Sequence, residues 1–336
     1  MTAAKKPSHF RDPDVVATLI AQIRARHGCS MEVLADRIAA QMRSYFEREF
    51  RASAAPSRFS RVGASSVRAR FLFGLSGGID SSVVAALAVR AVGASAVLPV
   101  TMPAHPGDES VAMAALVRAH FGFNEPGLPY VVDIGPIVDA YLAAANTSGC
   151  EQMSLGVDQA TQSREQRMRA GNFGSRARIG VLYDLQRAIR GRVLGTGNRS
   201  EFCQGYSTKF GTPISYDFGV LDELYKTDVY ALADVLGVPE VIRAAPPSTG
   251  YFPGQTHEGE LGASLDEQDV FAFLLFEQGR SVDDVVAAYG ADRAFATLMH
   301  QRFTVSLHKR ALNAPQERVR LNDKILPGLL APMVNA

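Results

Sequence analysis

The chain has 336 residues, 47% of them hydrophobic and 21% charged, enough for one large α/β domain or one domain with an added subdomain. Thirty-five basic residues against 34 acidic ones leave no global field to hold a nucleic-acid backbone. Cys29, Cys150 and Cys203 are too few and too widely spaced for a disulfide framework, a zinc knuckle or a thiol relay.

The start, Met1 to Asp12, is polar and basic and lacks the apolar segment of a secretion signal. The most apolar stretch, Val83 to Val100, is broken by Arg90, Gly93 and Pro99 and cannot span a membrane. A soluble, cytoplasmic protein is expected. Two amphipathic helices come first. Val15 to Arg26 puts Val16, Leu19, Ile20 and Ile23 on one face, and Ser30 begins a second helix that runs to about Phe50. Residues 51–68, rich in Ala, Ser and Arg, read as a linker. The expected division is an N-terminal helical extension and linker over 1–68 and a main domain over 69–330, with the extension packing on a dimer partner.

Strands follow at about 71–75, 95–101, 129–134 and 192–196, with helical segments between them. That alternation predicts a doubly wound, mostly parallel α/β sheet with helices on both faces. Residues 143–169 are polar and weakly periodic, and part of them reads as a loop. Tyr225 to Leu236 is helical, ended by Gly237 and Pro239. Residues 244–264, dense in Pro and Gly, read as a functional lid. Helices close the chain from Leu265 to about Leu307.

The chemistry begins at Ser76-Gly77-Gly78-Ile79-Asp80-Ser81-Ser82, between a buried strand and a helix. A helix start offers unpaired N–H groups and the positive end of the dipole, which suits a phosphate. Glycines permit close backbone approach, and Ser76, Ser81 and Ser82 add hydroxyls. Asp80 would repel the anion unless a divalent metal sits between them, so Mg²⁺ is implied. The loop matches neither common nucleotide fingerprint. It resembles the pyrophosphate loop of the ATP pyrophosphatase superfamily. Gly195-Thr196-Gly197-Asn198-Arg199-Ser200-Glu201 repeats the logic: a strand ends in glycines and a hydroxyl, and an acid opens the next helix. Asp80 and Glu201 are expected at the carboxyl ends of neighbouring strands, sharing one metal on a triphosphate. Lys209 and Lys226, each set among aromatics, suit phosphate as point charges.

Here a family resemblance becomes specific. Gly195 to Glu201, Gly205 to Gly211, Leu224-Tyr225-Lys226-Thr227, Pro246 to Gly250, Gly254 to Gly262 and His308-Lys309-Arg310 resemble consecutive motifs of the NAD synthetases. With the Ser76–Ser82 loop they run in the family's order over roughly residues 70–315. The resemblance implies a homodimer of an adenine nucleotide alpha-hydrolase-like, Rossmann-like fold with a helical C-terminal part. It implies that ATP adenylates the nicotinate carboxylate of deamido-NAD and that ammonia then displaces AMP. By the same resemblance, Ser76, Gly77, Gly78, Asp80, Ser81, Ser82, Met102, Arg178, Thr196, Lys226 and Ser248 would bind ATP. Asp80 and Glu201 would hold Mg²⁺. Asn172, Arg176, Lys209, His308 and Lys309 would meet the deamido-dinucleotide. Asp80, Lys209 and Lys226 would be catalytic. Glutamine-dependent relatives add a large amidase domain, so this chain is expected to use free ammonia or to borrow it from a partner. After Lys209-Phe210-Gly211 the family has an Asp and two glycines, where this chain has Thr212-Pro213-Ile214. Asp217 is the candidate replacement, although its spacing differs by several residues. The departure leaves an alternative: a relative that adenylates and amidates a different carboxylic acid.

Overall fold

The computed structural model describes residues 8–52, 69–105, 108, 110–147, 163–246, 257–310 and 317–318. Its strands are β1 (Arg70–Gly74), β2 (Val97–Val100), β3 (Gly191–Asn198), β4 (Phe218–Leu221) and the two-residue β5 (Glu317–Arg318). They form one sheet in the order β2-β1-β3-β4-β5, and every pairing is parallel. Helices α1 (Pro13–Ala25) and α2 (Met31–Ala52) precede the sheet, and α3 (Ile79–Val92) follows β1. Between β2 and β3 run α4 (Ser110–Phe121), α5 (Gly135–Asn146) and α6 (Arg164–Ala188). The short α7 (Arg199–Gln204) links β3 to β4, and α8 (Lys226–Val235) and α9 (Glu240–Arg243) follow β4. Then come α10 (His257–Leu261), α11 (Leu265–Ala272) with a π-helical turn over Phe273–Glu277, α12 (Val282–Tyr289), α13 (Arg293–Val305) and α14 (Leu307–Arg310).

Side-chain alternation along the strands decides the layering. Phe71 and Phe73 of β1 enter a core with Leu34, Ile38, Val83 and Val229, on the face covered by α2, α3 and α8. Leu72 between them enters a second core with Leu98, Val138 and Leu182, on the face covered by α5 and α6. The doubly wound parallel α/β arrangement expected from the sequence is the fold the chain adopts.

Two departures from the sequence reading have physical causes. The strand expected over 129–134 is reduced to a single bridge between Thr101 and Val131. Thr101 N still donates to Tyr130 O and Val132 N to Thr101 O, each at 2.9 Å. Pro103 and Pro129 have no N–H, so the ladder cannot extend. Strand β4 was not foreseen, because four buried residues between glycines and turns carry too little periodicity to register. The N-terminal helices are built into the chain's own cores. Leu19, Ile20 and Ile23 of α1 pack with Val270, Phe271 and Leu274, and α2 packs in the core that holds β1. The linker over 53–68, residues 148–162 of the polar tract and residues 247–256 of the expected lid lie outside the described residues.

Candidate active site

The strand order reverses between β1 and β3. The chain steps outward from β1 to β2, then returns to the other side of β1 for β3 and β4. In open parallel sheets, ligands bind in the crevice at such a switch point, beyond the carboxyl ends of the strands. Here that crevice is bordered by the Leu75–Gly78 turn after β1, by Asn198 to Glu201 after β3, and by the start of α8 after β4.

The helix starts that meet there differ in what they have left to offer. Gly78 precedes α3, and no side chain caps that helix. Ser81 Oγ and Ser82 Oγ donate to Gly78 O at 3.0 and 2.9 Å, and Ser76 Oγ lies 3.2 Å from Ser81 Oγ. The hydroxyls of Ser81 and Ser82 therefore tighten the turn, and Ser82 is fully buried. The first-turn amides of α3 remain for a ligand. Gly77 has φ +76°, and a Cβ there would lie 2.5 Å from Met113 Cβ of α4, so it is helix packing that forbids a side chain at this position. Gly78 is exposed, and a Cβ would meet nothing closer than Ser76 Oγ at 3.4 Å, so Gly78 is the glycine on the open side.

The start of α8 has none of this freedom. Tyr225 N donates to Asp228 Oδ2 at 3.0 Å, Lys226 N to Ser200 Oγ at 2.8 Å, and Thr227 N to Asp269 Oδ2 at 2.9 Å. Three successive amides are taken, so α8 serves the crevice only through the Lys226 side chain. Lys226 is 2% exposed, and its ammonium is paired with Asp80 Oδ2. Burial works against the lysine's charge, but Asp80 and Glu201 outweigh it and hold its pKa above the ordinary value.

Asn198 joins the two acids. It caps α7 by accepting from Glu201 N at 3.0 Å, while its Nδ2 donates to Asp80 Oδ1 at 3.0 Å. Glu201 completes a capping box on Asn198 N. Burial, and then the neighbouring charge of Asp80, push the Glu201 carboxyl up to about 8, against the opposing pull of Lys226. Two carboxylates are thus joined through Asn198, with the Lys226 ammonium paired to one of them. Hard oxygen donors in that state suit a divalent cation, and two carboxylates with substrate phosphates make a common Mg²⁺ donor set. Among the described residues no third acid, His or Cys joins them.

Asp80, Glu201 and Lys226 are therefore brought together as the sequence implied. Thr196 is half-buried on β3, two residues before Asn198. Met102 and Arg178 meet each other at the end of β1: Arg178 Nε donates to Met102 O at 3.0 Å, and Met102 Cε approaches Gly74. A separate set surrounds Lys209. Asn172 accepts from Thr208 Oγ1 at 2.6 Å, and Arg176 Nε donates to Lys209 O at 3.1 Å, so α6 holds the Lys209 loop. The Lys209 ammonium lies 5.2 Å from the centroid of its neighbour Phe210 and does not join the Asp80 pair.

The structure does not bring Asp217 into this group. Its carboxylate accepts from Val193 N at 2.8 Å, Gln186 Nε2 at 3.0 Å and Tyr183 Oη at 3.3 Å, tying α6 to β3 below the strand ends. Lys309 donates to Gly205 O and Ser207 O, both at 2.7 Å, and His308 is exposed with Nδ1 3.0 Å from Val305 O. Ser248 lies outside the described residues. Asn198 escaped the sequence reading, as did Ser200 and Asp269. The Asn-x-x-Glu capping box over 198–201 was the available signal for Asn198. Asp269 lies far along the chain and left none.

A switch point with an uncapped helix start facing it marks an α/β protein of the Rossmann-like, adenine nucleotide alpha-hydrolase fold, whose crevice suits a nucleotide. Residues 60–313 match the family model of NAD synthase, and the chain belongs to that family of ATP-dependent ligases. It is 34% identical over 241 residues to the NH3-dependent NAD+ synthetase of Pyrococcus horikoshii, covering 72% of this chain and 85% of the relative. Among solved structures, NMN synthetase from Francisella tularensis is 25% identical with a TM-score of 0.61, covering 85% of this chain and 98% of that one. NAD+ synthetase from Burkholderia pseudomallei is 25% identical with a TM-score of 0.57, covering 90% and 98%.

Proposed function

We propose that this chain is an ammonia-dependent NAD synthetase, working as a homodimer on ATP, deamido-NAD and ammonia. The observation that carries the reading is the contact of Asp80 with both Lys226 and Asn198, which joins three helix starts at the switch point. A free carboxylate resists amidation because oxide is a poor leaving group. Attack of the nicotinate carboxylate on the α-phosphorus of ATP expels pyrophosphate and leaves an acyl adenylate. Ammonia then adds to the acyl carbon, and AMP departs with the carboxylate oxygen.

The residues present suit the first step. Two anions must approach each other, so the amides of α3 and the Lys226 ammonium bind the phosphates and stabilise the departing pyrophosphate. Asp80 and Glu201 would hold Mg²⁺, which when bound neutralises charge on the triphosphate. Lys209, whose loop is held by α6, would meet the acid. The second step is mostly positioning, since neutral ammonia is already a good nucleophile. Residues 1–68 form an extension and 69–330 the synthetase domain in this reading.

The test supplies purified protein with ATP, Mg²⁺, ammonium and deamido-NAD, with Asp80→Ala as the blank. The expected result is NAD and AMP in equal amounts, absent from the blank and absent when glutamine replaces ammonium. The likeness to an NMN synthetase and the altered 212–214 segment name one second acid for the same assay, the acid mononucleotide corresponding to NMN. Turnover of that acid in preference to deamido-NAD would move the substrate assignment and leave the adenylation site standing.

A further inference from the structure

The corner between α1 and α2 reaches into the network behind Lys226. The Arg26 side chain is buried, and its Nη2 donates to Glu223 O and to Asp228 Oδ2, each at 2.8 Å. Its Nη1 lies 3.2 Å from Glu277 Oε2, and its guanidinium stands 4.8 Å from the Tyr225 ring centroid. Arg199 lies 5.2 Å from the same ring and 3.0 Å from the same Glu277 oxygen. His27 Nε2 lies 3.2 Å from Asp228 Oδ1. Glu223, Tyr225 and Asp228 surround Lys226 in the sequence, and Asp228 also caps Tyr225 N. Arg26 thus fixes the β4–α8 turn from behind, at a main-chain carbonyl and at the cap.

We propose that Arg26 is a positioning residue for phosphate binding: it locks the turn so that Lys226 projects at Asp80 and the phosphates. This rests on the ATP-binding reading above. A lysine ammonium works as a point charge, and a displacement of about 1 Å at its backbone is enough to cost much of its effect. The guanidinium is suited to the task because one planar fork meets the carbonyl and the carboxylate together. The N-terminal helices then do more than bury apolar surface. They complete the support of a residue 200 positions later in the chain.

The experiment measures Mg·ATP affinity by titration calorimetry in wild type, Arg26→Met, Arg26→Lys, Lys226→Met and both Arg26 changes in the Lys226→Met background. Circular dichroism melting records that each variant is folded, and NAD formation is measured for wild type. Arg26→Lys keeps the buried charge, and with it the fold, but cannot span both acceptors. The expected result is affinity weakened about tenfold or more by either Arg26 change, with no further loss once Lys226 is Met. Wild-type affinity in a folded Arg26 variant overturns the proposal, and so does an equal loss in both backgrounds, which would mark a general structural role. Failure of both Arg26 variants to fold also overturns it. If wild type binds Mg·ATP but forms no NAD, the substrate reading falls and the role of Arg26 stands. If folded wild type binds no Mg·ATP, both fall together.

Discussion

Replacing Asn198 by Asp changes one atom in the centre of the site and separates its two duties. Asp is as good an N-cap as Asn, so the bond that Glu201 N donates is kept and α7 retains its cap. The bond to Asp80 is not kept. The amide that donates to Asp80 Oδ1 at 3.0 Å becomes a carboxylate oxygen facing another carboxylate. A hydrogen bond to a charged acceptor contributes about 1.5–3 kcal/mol. Two like charges about 4 Å apart repel by about 4 kcal/mol at an effective dielectric of about 20. Asp80 is 18% exposed and Lys226 stays in contact with it, so part of that repulsion is screened. The net expectation is a loss of about 3–5 kcal/mol, read by denaturant unfolding in the absence of divalent cations. A third carboxylate also strengthens attraction for a cation, so Mg²⁺ should recover more stability in Asn198→Asp than in wild type. Equal stability of the two proteins without Mg²⁺ would refute the bridging role of Asn198. A loss that Mg²⁺ leaves untouched would refute cation binding between Asp80 and Glu201.

Asp269 is buried beneath the start of α8, and burial raises its carboxyl to about 7 despite bonds from Ser200 and Thr227. Below its unfolded value of about 4 both states hold the proton; between 4 and 7 only the folded state does, so stability falls as pH rises by up to about 1.4 kcal/mol per unit. Unfolding of wild type and Asp269→Asn from pH 4 to 8 should show the wild-type advantage shrinking across that window; a constant difference would refute the shift. Lys309→Met releases the carbonyls of Gly205 and Ser207 and should cost about 1–3 kcal/mol, with KM for the acid substrate rising more than KM for ATP. An unchanged melting curve and unchanged KM values would exclude that clasp. Gly77→Ala meets both a positive φ and Met113, and should destabilise by more than about 1 kcal/mol while Gly78→Ala, open on its ligand side, loses ATP affinity with less effect on folding. Chemical denaturation beside nucleotide titration separates the two.

What the sequence by itself determined is local. Strand β1, the glycine turn and α3 are encoded within about twenty residues, so Asp80 at the head of a helix was legible, as were Glu201 as the acid opening a helix and Lys226 at a helix start. The doubly wound fold was legible from the alternation of strands and helices. Short-range periodicity reads such features because their hydrogen bonds and apolar faces close within a few residues. It failed where prolines withheld donors over 129–134, and where β4 was too short to show a period. The tertiary structure alone decided which groups share the crevice. It placed Asn198 between the two acids, turned Asp217 to the support of β3, and set Lys309 on main-chain carbonyls. It also brought Arg26 and Asp269 from opposite ends of the chain to the amides and carbonyls around Lys226. Those contacts depend on how layers stack, and the cost of burying an unpaired polar group, which fixes each partner, is felt only once the layers have closed.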